Sequence, residues 1–378
     1  MNINITTKKD HYIGLQIFDT WYAYRQNLNV DYKSDFSFTI NKEPSDINIL
    51  FEYMPEQLTI EDIEAYDLVF FCNGGESMSL VTPVMEHLLN LDKVYLICNS
   101  YLPSDHKLYN KTIWFPHNFM SCRDYWTRHF YPQYFENKKH SNLKRQNNIV
   151  AINGKNRPDR DFFFNLLSKS NLDIIIKSNL QSGNYLAKQP YESSEDIEFR
   201  NYVNGLYKFN DDFQTGKDYW SNKIYVGNDK KFGMIPMGYF IMPEYYQHAC
   251  VIFPESGWLN DELVVTEKSI KCFHAESLPF PIGGANINHY YNELGFSTAW
   301  NLLPKELHYF DTIKNHVDRY QLAIEAISWL DNNRYVFESD QYKKMTKQNK
   351  ISFLTCDSDF KSALRIDNII QHLTKSKV

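Results

Sequence analysis

The sequence predicts an α/β chain of two domains, each built around a parallel sheet. Three observations carry this. Short apolar runs alternate with helix-compatible stretches through the first third, those runs end in small or polar residues, and the same pattern restarts after a polar, basic segment near the middle. The length agrees, because 378 residues exceed one ordinary core and suit two domains of about 150 to 200 residues.

In the first half the apolar runs are Ile13–Phe18, Ile47–Phe51, Leu68–Cys72 and Val94–Cys98, with amphipathic Leu80–Leu91 between the last two. Spacing of this kind fits βαβ units. The runs end in Asp19-Thr20, in Cys72-Asn73-Gly74-Gly75-Glu76 and in Cys98-Asn99-Ser100, where an open sheet places its ligand crevice. Asn137–Asn148 is basic and has no periodicity, so it reads as the linker between domains 1–147 and 148–378, or else as an exposed loop.

The second half opens with the strand-like Ile149–Ile152, a turn through Asn153–Arg160 and a helical Phe162–Lys169. Pro158 and Asp159 suit a helix start, and free amides there favour an anion beside Lys155, Arg157 and Arg160. Strands are expected at Ile174–Lys177, Cys250–Pro254 and Phe280–Gly284, with a helix over Thr266–Ala275. His316–Leu330 and Ala363–Leu373 read as helices, the latter as the tail of the second domain.

Composition narrows the function classes. Hydrophobic residues at 43% and charged residues at 23% describe a folded chain, and 40 basic against 46 acidic residues argue against a nonspecific nucleic-acid coat while permitting a local basic groove. The aromatic excess of 27 Tyr, 26 Phe and 7 Trp serves equally as core, base platform or sugar platform. Apolar runs such as Asp67–Cys72 fall far short of the roughly 20 residues of a membrane span, and Met1–Tyr12 has no apolar h-region, so the expected location is cytoplasmic. Six scattered cysteines without a CxxC pair suggest reduced, buried thiols. Abundant Asn, Lys, Ile and Tyr fit an AT-rich genome, such as many phages and some bacteria carry.

Most chemical motifs are missing or incomplete. His274-Ala275-Glu276 has the H-x-E of zinc deaminases without the P-C-x-x-C, so no tetrahedral site can be assembled. Asp357-Ser358-Asp359 resembles a metal-holding D-x-D, yet short Asp/Ser runs also cap helices. There is no Walker loop, no G-x-G-x-x-G after a strand and no G-x-S-x-G elbow. No metal site is expected.

The strongest constellation is Val251-Ile252-Phe253-Pro254-Glu255-Ser256-Gly257, then Thr266-Glu267-Lys268, then Pro279-Phe280-Pro281-Ile282-Gly283-Gly284. It reads as strand, polar turn, helix N-terminus, strand and glycine turn. Thr266 would cap the helix, placing Glu267 and Lys268 in a first turn whose amides and ammonium can hold a diphosphate. Glu267 would then accept hydrogen bonds from ribose or sugar hydroxyls, while Glu255 and Ser256 at the strand end face the same crevice. The alternative is that Glu267 is only a favourable charge at a helix start and Lys268–Lys271 a solvated face.

The order P-E-S, T-E-K, P-x-P-x-G-G resembles the C-terminal donor-binding domain of the α-1,3-fucosyltransferases, glycosyltransferase family 10, where the pattern is E-N-S, T-E-K and V-P-V-V before a glycine-bearing turn. It is also similar to related phage and bacterial glycosyltransferases that end this segment in L-G-F, here Leu294-Gly295-Phe296. The likeness covers roughly residues 245 to 300. It departs from the pattern at Pro254-Glu255-Ser256, which removes the asparagine amide. The resemblance implies a GT-B architecture, two Rossmann-like domains facing a cleft, with a nucleoside-diphosphate sugar as co-substrate and no cofactor. It also implies that Glu267 and Lys268, with Arg157 or Arg160, contact the diphosphate.

The reaction expected on that basis is inverting, metal-independent transfer of a sugar to an acceptor hydroxyl. Glu76, Asp105 and Asp19 follow apolar runs at the crevice end and are the candidate general bases, although Asp and Glu beside Gly or Ser commonly cap turns. The acceptor is a glycan or sugar. The alternative acceptor is a hydroxymethylated pyrimidine in DNA, served by Lys138, Lys139, Lys144 and Arg145 and by the aromatic run Tyr125–Tyr131. A third reading is a sugar-binding protein that keeps the fold without turnover.

Overall fold

A computed structural model describes residues 2–7, 37–40, 46–53, 63–73, 87–102, 104, 106–115, 122, 123, 126, 127, 129, 132–153, 158–178, 241–255, 263–355 and 358–376. Its helices are α1 (Pro132–His140), α2 (Pro158–Ser168), α3 (Pro243–Gln247), α4 (Glu267–Ala275), α5 (Ile287–Glu293), α6 (His316–Asn332), α7 (Asp340–Leu354) and α8 (Ser358–Ser376). The chain divides into two compact units, Met1–Met120 with Cys356–Val378, and Ser121–Thr355.

The first unit holds β1 (Asn2–Thr7), β2 (Ser37–Ile40), β3 (Ile47–Tyr53), β4 (Leu68–Asn73), β5 (Val94–Cys98), β6 (Ser100–Tyr101) and β7 (Thr112–Trp114). Six of them form a sheet in the order β2-β1-β3-β4-β5-β7, with every neighbouring pair parallel. The strands read as unbroken apolar runs because both faces are covered. Ile49, Phe51, Leu68, Phe70 and Ile97 enter one core cluster, while their neighbours Leu50, Val69, Phe71, Leu96 and Cys98 enter another. Leu88 and Leu89, from the expected helix Leu80–Leu91, are buried in that second cluster. The expected run Ile13–Phe18 lies outside the described residues.

Helix α8 belongs to this unit. Its Ile366 and Ile370, one turn apart, are buried in the first cluster, and Ser362 Oγ donates to the Trp114 carbonyl at 2.5 Å. The helical tail expected on the second domain therefore covers the first sheet, because that sheet has an apolar face to bury.

The second unit contains β8 (Gln146–Asn153), β9 (Ile175–Ser178), β10 (His248–Pro254), β11 (Leu263–Val264) and β12 (Leu278–Ile282). A four-stranded parallel sheet runs β12-β10-β8-β9. β10 is buried along its whole length, and its Cys250 and Ile252 share a core with Phe162, Phe163 and Phe164 of α2 and Tyr320 and Ile327 of α6.

The segment Asn137–Asn148, expected as a linker, is mostly regular structure. It ends α1, turns, and begins β8 at Gln146, with Asn137 buried. Arg145 explains why this basic stretch is held in place. Its guanidinium donates to the carbonyls of Ala275 and Glu276 at the end of α4, and to Tyr246 O at 3.2 Å and the Tyr342 hydroxyl at 3.2 Å. Helix-end carbonyls lack intrahelical donors, and a planar, permanently charged fork suits them. The observed division of the chain thus differs from 1–147 and 148–378 at both ends. Among the described residues no helix is long and apolar enough to cross a membrane.

Replacing Ile370 by Ala should destabilise the first unit by about 2–5 kcal/mol. Hydrogen exchange should then show protection lost in β1, β3 and β4. Loss concentrated in β10 and β12 would contradict the assignment of α8.

Candidate functional site

β10 delivers Glu255 at its C-terminal end, where the Glu255 N–H donates to Ile282 O at 2.8 Å. Eleven residues on, Thr266 is extended (φ −93°, ψ 174°) and caps α4, its Oγ1 accepting from Lys268 N at 3.4 Å. The helix forms below this cap because Ile270 and Phe273 are three apart and both buried, with Phe273 stacked on Phe296 at 4.3 Å. Its first turn remains accessible, with the side chains of Glu267 and Lys268 24% and 20% exposed.

Glu255 is fully buried and surrounded by donors. Oε2 accepts from Thr266 Oγ1 at 2.5 Å, while Oε1 accepts from Ser269 Oγ at 2.6 Å, Tyr291 OH at 2.9 Å and Thr266 N at 3.3 Å. The Ser269 and Tyr291 hydroxyls also contact each other. Glu255 was expected to face the crevice, but its oxygens are spent inside the protein, tying together the end of β10, the cap of α4 and α5. Close packing permits this. A Cβ on Gly283 would lie 3.6 Å from Glu255 Cβ and 2.7 Å from Ile287 Cδ1, so glycine lets the turn after β12 approach.

The charges around this hub differ in character. Burial raises the Glu255 pKa, and Lys268 with the Ser269 and Thr266 hydrogen bonds only partly oppose it. For Glu267 burial also acts upward, but Lys268, Lys271 and its own backbone amide outweigh it, and its pKa is lowered. The ionised form is thus favoured at Glu267 and disfavoured at Glu255. Lys268 Nζ lies 3.5 Å from Glu267 Oε1 and donates to Thr266 Oγ1 at 3.2 Å, and an ammonium carries three donors. Lys271 is buried, its pKa lowered by burial against the pull of Glu267, with its ammonium 5.9 Å from the Tyr245 ring.

A second polar network fixes the glycine turn. Buried Arg319 on α6 donates to Gly283 O from Nη2 at 2.7 Å and Nε at 3.0 Å, and to Ile313 O at 2.5 Å. Asp311 is buried at the start of α5, accepting from Asn288 Nδ2 at 2.9 Å, His289 N at 3.1 Å and Asn288 N at 3.2 Å. It supplies the acceptor that the helix start would otherwise lack.

Of the residues singled out in sequence, Glu255, Thr266, Glu267 and Lys268 are brought together. Arg160 lies in the first turn of α2, buried beside the buried Asp159 and Asp161. Burial, then Asp159, push the Asp161 pKa well up, with Arg160 opposing. Arg160 is thus enclosed at this helix start rather than open to a ligand, among the described residues. Lys155, Arg157, Ser256, Glu76, Asp105 and Asp19 lie outside the described residues. His274 and Glu276 are the end of α4: His274 is packed on Trp126, which is itself buried, and Glu276 pairs with Lys350 at 2.6 Å. Ser269, Tyr291, Asp311 and Arg319 were not anticipated, and Lys271, placed on a solvated face by the alternative reading, is buried. Ser269, three residues after the cap, had a readable helical spacing, whereas Tyr291 and Arg319 reach the site from distant sequence with no local signal.

No family model and no curated protein matches the sequence. Among solved structures, the chain is similar to a variant of T4 phage BGT in complex with UDP-glucose, with TM-score 0.41 and 10% identity over 98% of this chain and 99% of that one. It is also similar to the trehalose-6-phosphate synthase OtsA, with TM-score 0.43 and 10% identity over 95% and 76% of the two chains. A UDP-forming α,α-trehalose-phosphate synthase from Burkholderia vietnamiensis gives TM-score 0.39 and 8% identity over 98% and 80%. Likeness at this level leaves the site to be argued from its own residues.

Tyr291→Phe removes one donor from the buried carboxylate and should cost about 1–3 kcal/mol in urea unfolding. A change within error would show that the hydroxyl is not bonded as described. Because the folded pKa of Glu255 lies above its ordinary value of 4.5, its contribution to stability is full below that value and is lost as pH rises through the raised folded pKa. The stability of wild type relative to Glu255→Gln should therefore fall with rising pH above 4.5. A flat difference would contradict the burial argument.

Proposed function

We propose that the chain is a glycosyltransferase that moves a sugar from a nucleoside-diphosphate sugar to an acceptor hydroxyl, with the start of α4 receiving the diphosphate. The observation that carries this reading is the accessible Glu267–Lys268 pair on a capped helix N-terminus that a buried carboxylate holds rigid. Helix-start amides and an ammonium suit a diphosphate, and a carboxylate held ionised suits ribose or sugar hydroxyls. Thr266 and Glu255 act behind them as positioning residues.

In the proposed step the acceptor oxygen attacks the anomeric carbon and the bond to the diphosphate breaks with inversion. A carboxylate takes the hydroxyl proton, and Lys268 with the α4 amides stabilises the departing charge. Glu76, Asp105 and Asp19 are the candidate bases, and Lys155, Arg157 and Ser256 are the further donor-side candidates. The proposed architecture is GT-B, with two Rossmann-like units and the donor on the second. No metal is assigned a part in this mechanism.

For the acceptor we favour a glycan or sugar. The DNA alternative would draw on Lys138, Lys139 and Lys144, which are exposed, but Arg145 is committed to backbone carbonyls. Duplex binding that weakens steeply with salt would favour DNA instead.

Transfer assayed with nucleotide-sugar panels should fall about a hundredfold to a thousandfold in Lys268→Ala, equivalent to roughly 2.7–4 kcal/mol of lost transition-state stabilisation. Near wild-type turnover in that variant would remove the diphosphate assignment.

A further inference from the structure

The first unit contains a cavity of about 220 Å³ just beyond the end of β5. Its described walls come from the chain after β5, the edge strand β7 and the helix α8. Tyr101 and Trp114 form an edge-to-face pair on this wall, with ring centroids 5.6 Å apart. The Trp114 indole N–H donates to Asn99 O at 3.0 Å, which fixes the ring.

Among the described residues, buried polar side chains at and next to this wall lack hydrogen-bond partners. Ser100 lines the cavity at 1% exposure, and its hydroxyl makes no hydrogen bond. Neighbouring Asn99, at 2% exposure, has neither amide atom bonded. Buried polar atoms are nearly always satisfied, so adjacent orphans beside a cavity point to an occupant that supplies the missing bonds.

The charge that α8 brings to the cavity has one sign. Lys361 and Arg365, one turn apart on α8, both line the cavity, and no carboxylate does so among the described residues. Arg365 lies 5.6 Å from the Tyr109 ring and donates to Tyr109 O at 3.0 Å and Asn110 O at 3.3 Å, so its guanidinium is held at the rim. The volume is below the range of about 300–1,000 Å³ that takes larger ligands.

We propose that this cavity binds a small anion built on a single ring. The ring lies against Tyr101 and Trp114, a polar ring atom or hydroxyl meets Ser100, and a phosphate or carboxylate faces Lys361 and Arg365. The proposal does not require turnover by the transferase reading, since binding is read out directly.

The test is ¹⁹F NMR of the full chain carrying 5-fluorotryptophan, with the Trp114 resonance assigned by its loss in Trp114→Phe. Phenyl phosphate and glucose 6-phosphate, at millimolar concentration, supply flat and saturated ring anions, with glucose and inorganic phosphate as controls. At least one ring anion should shift the Trp114 resonance saturably, and more than either control does. Lys361→Glu, an exposed change, should weaken that binding at least about tenfold at low salt. Which anion binds tells a flat ring from a saturated one. Silence from both ring anions, an equal response to inorganic phosphate alone, or unchanged binding in Lys361→Glu would overturn the proposal.

Discussion

The buried carboxylate of Glu255 is the interaction on which the candidate site depends. It joins the end of β10, the Thr266 cap, Ser269 one turn into α4, and Tyr291 on α5. Those donors would lose a shared buried acceptor without it, at about 1–3 kcal/mol for each one left unpaired. The functional consequence is preorganisation. Amides and an ammonium held still before a ligand arrives stabilise developing charge without reorganising at the moment of reaction. Arg319 and Asp311 extend the same restraint to the glycine turn and to α5.

This arrangement also separates two acids that look equivalent in sequence. Glu255 is enclosed, and burial makes it hard to ionise, whereas Glu267 sits partly exposed among Lys268 and Lys271 and is held ionised. One organises the helix, and the other is placed to meet a ligand. The same distinction between enclosed and accessible charge applies to basic residues: Arg145 serves the end of α4, while Lys138 and Lys139 remain exposed.

Much of the fold was legible in the sequence. Continuous apolar runs such as Leu68–Cys72 and Val94–Cys98 read as strands because parallel sheets bury both faces, and Thr266 read as a cap because its residue type and the apolar spacing after it agree. What could not be read depends on contacts between distant residues. Nothing near residue 370 says that Ile366 and Ile370 cover the first sheet, and nothing near Tyr291 says that its hydroxyl meets Glu255. The role of Glu255 was misjudged for the same reason, since its position at a strand end was visible while the donors enclosing it were not. Asp159 looked suited to a helix start, but its burial together with Arg160 and Asp161 is a property of packing.

The central claim is that the start of α4 recognises a nucleoside diphosphate. Isothermal titration of the full chain with UDP, GDP, CDP, ADP and TDP, and with the matching nucleosides, tests it most directly. The account predicts that one diphosphate binds about a hundredfold or more tightly than its nucleoside, a difference near 2.7 kcal/mol, and that the Glu267→Ala/Lys268→Ala double variant loses this preference. Equal binding of diphosphate and nucleoside, or a preference untouched in the double variant, would contradict it.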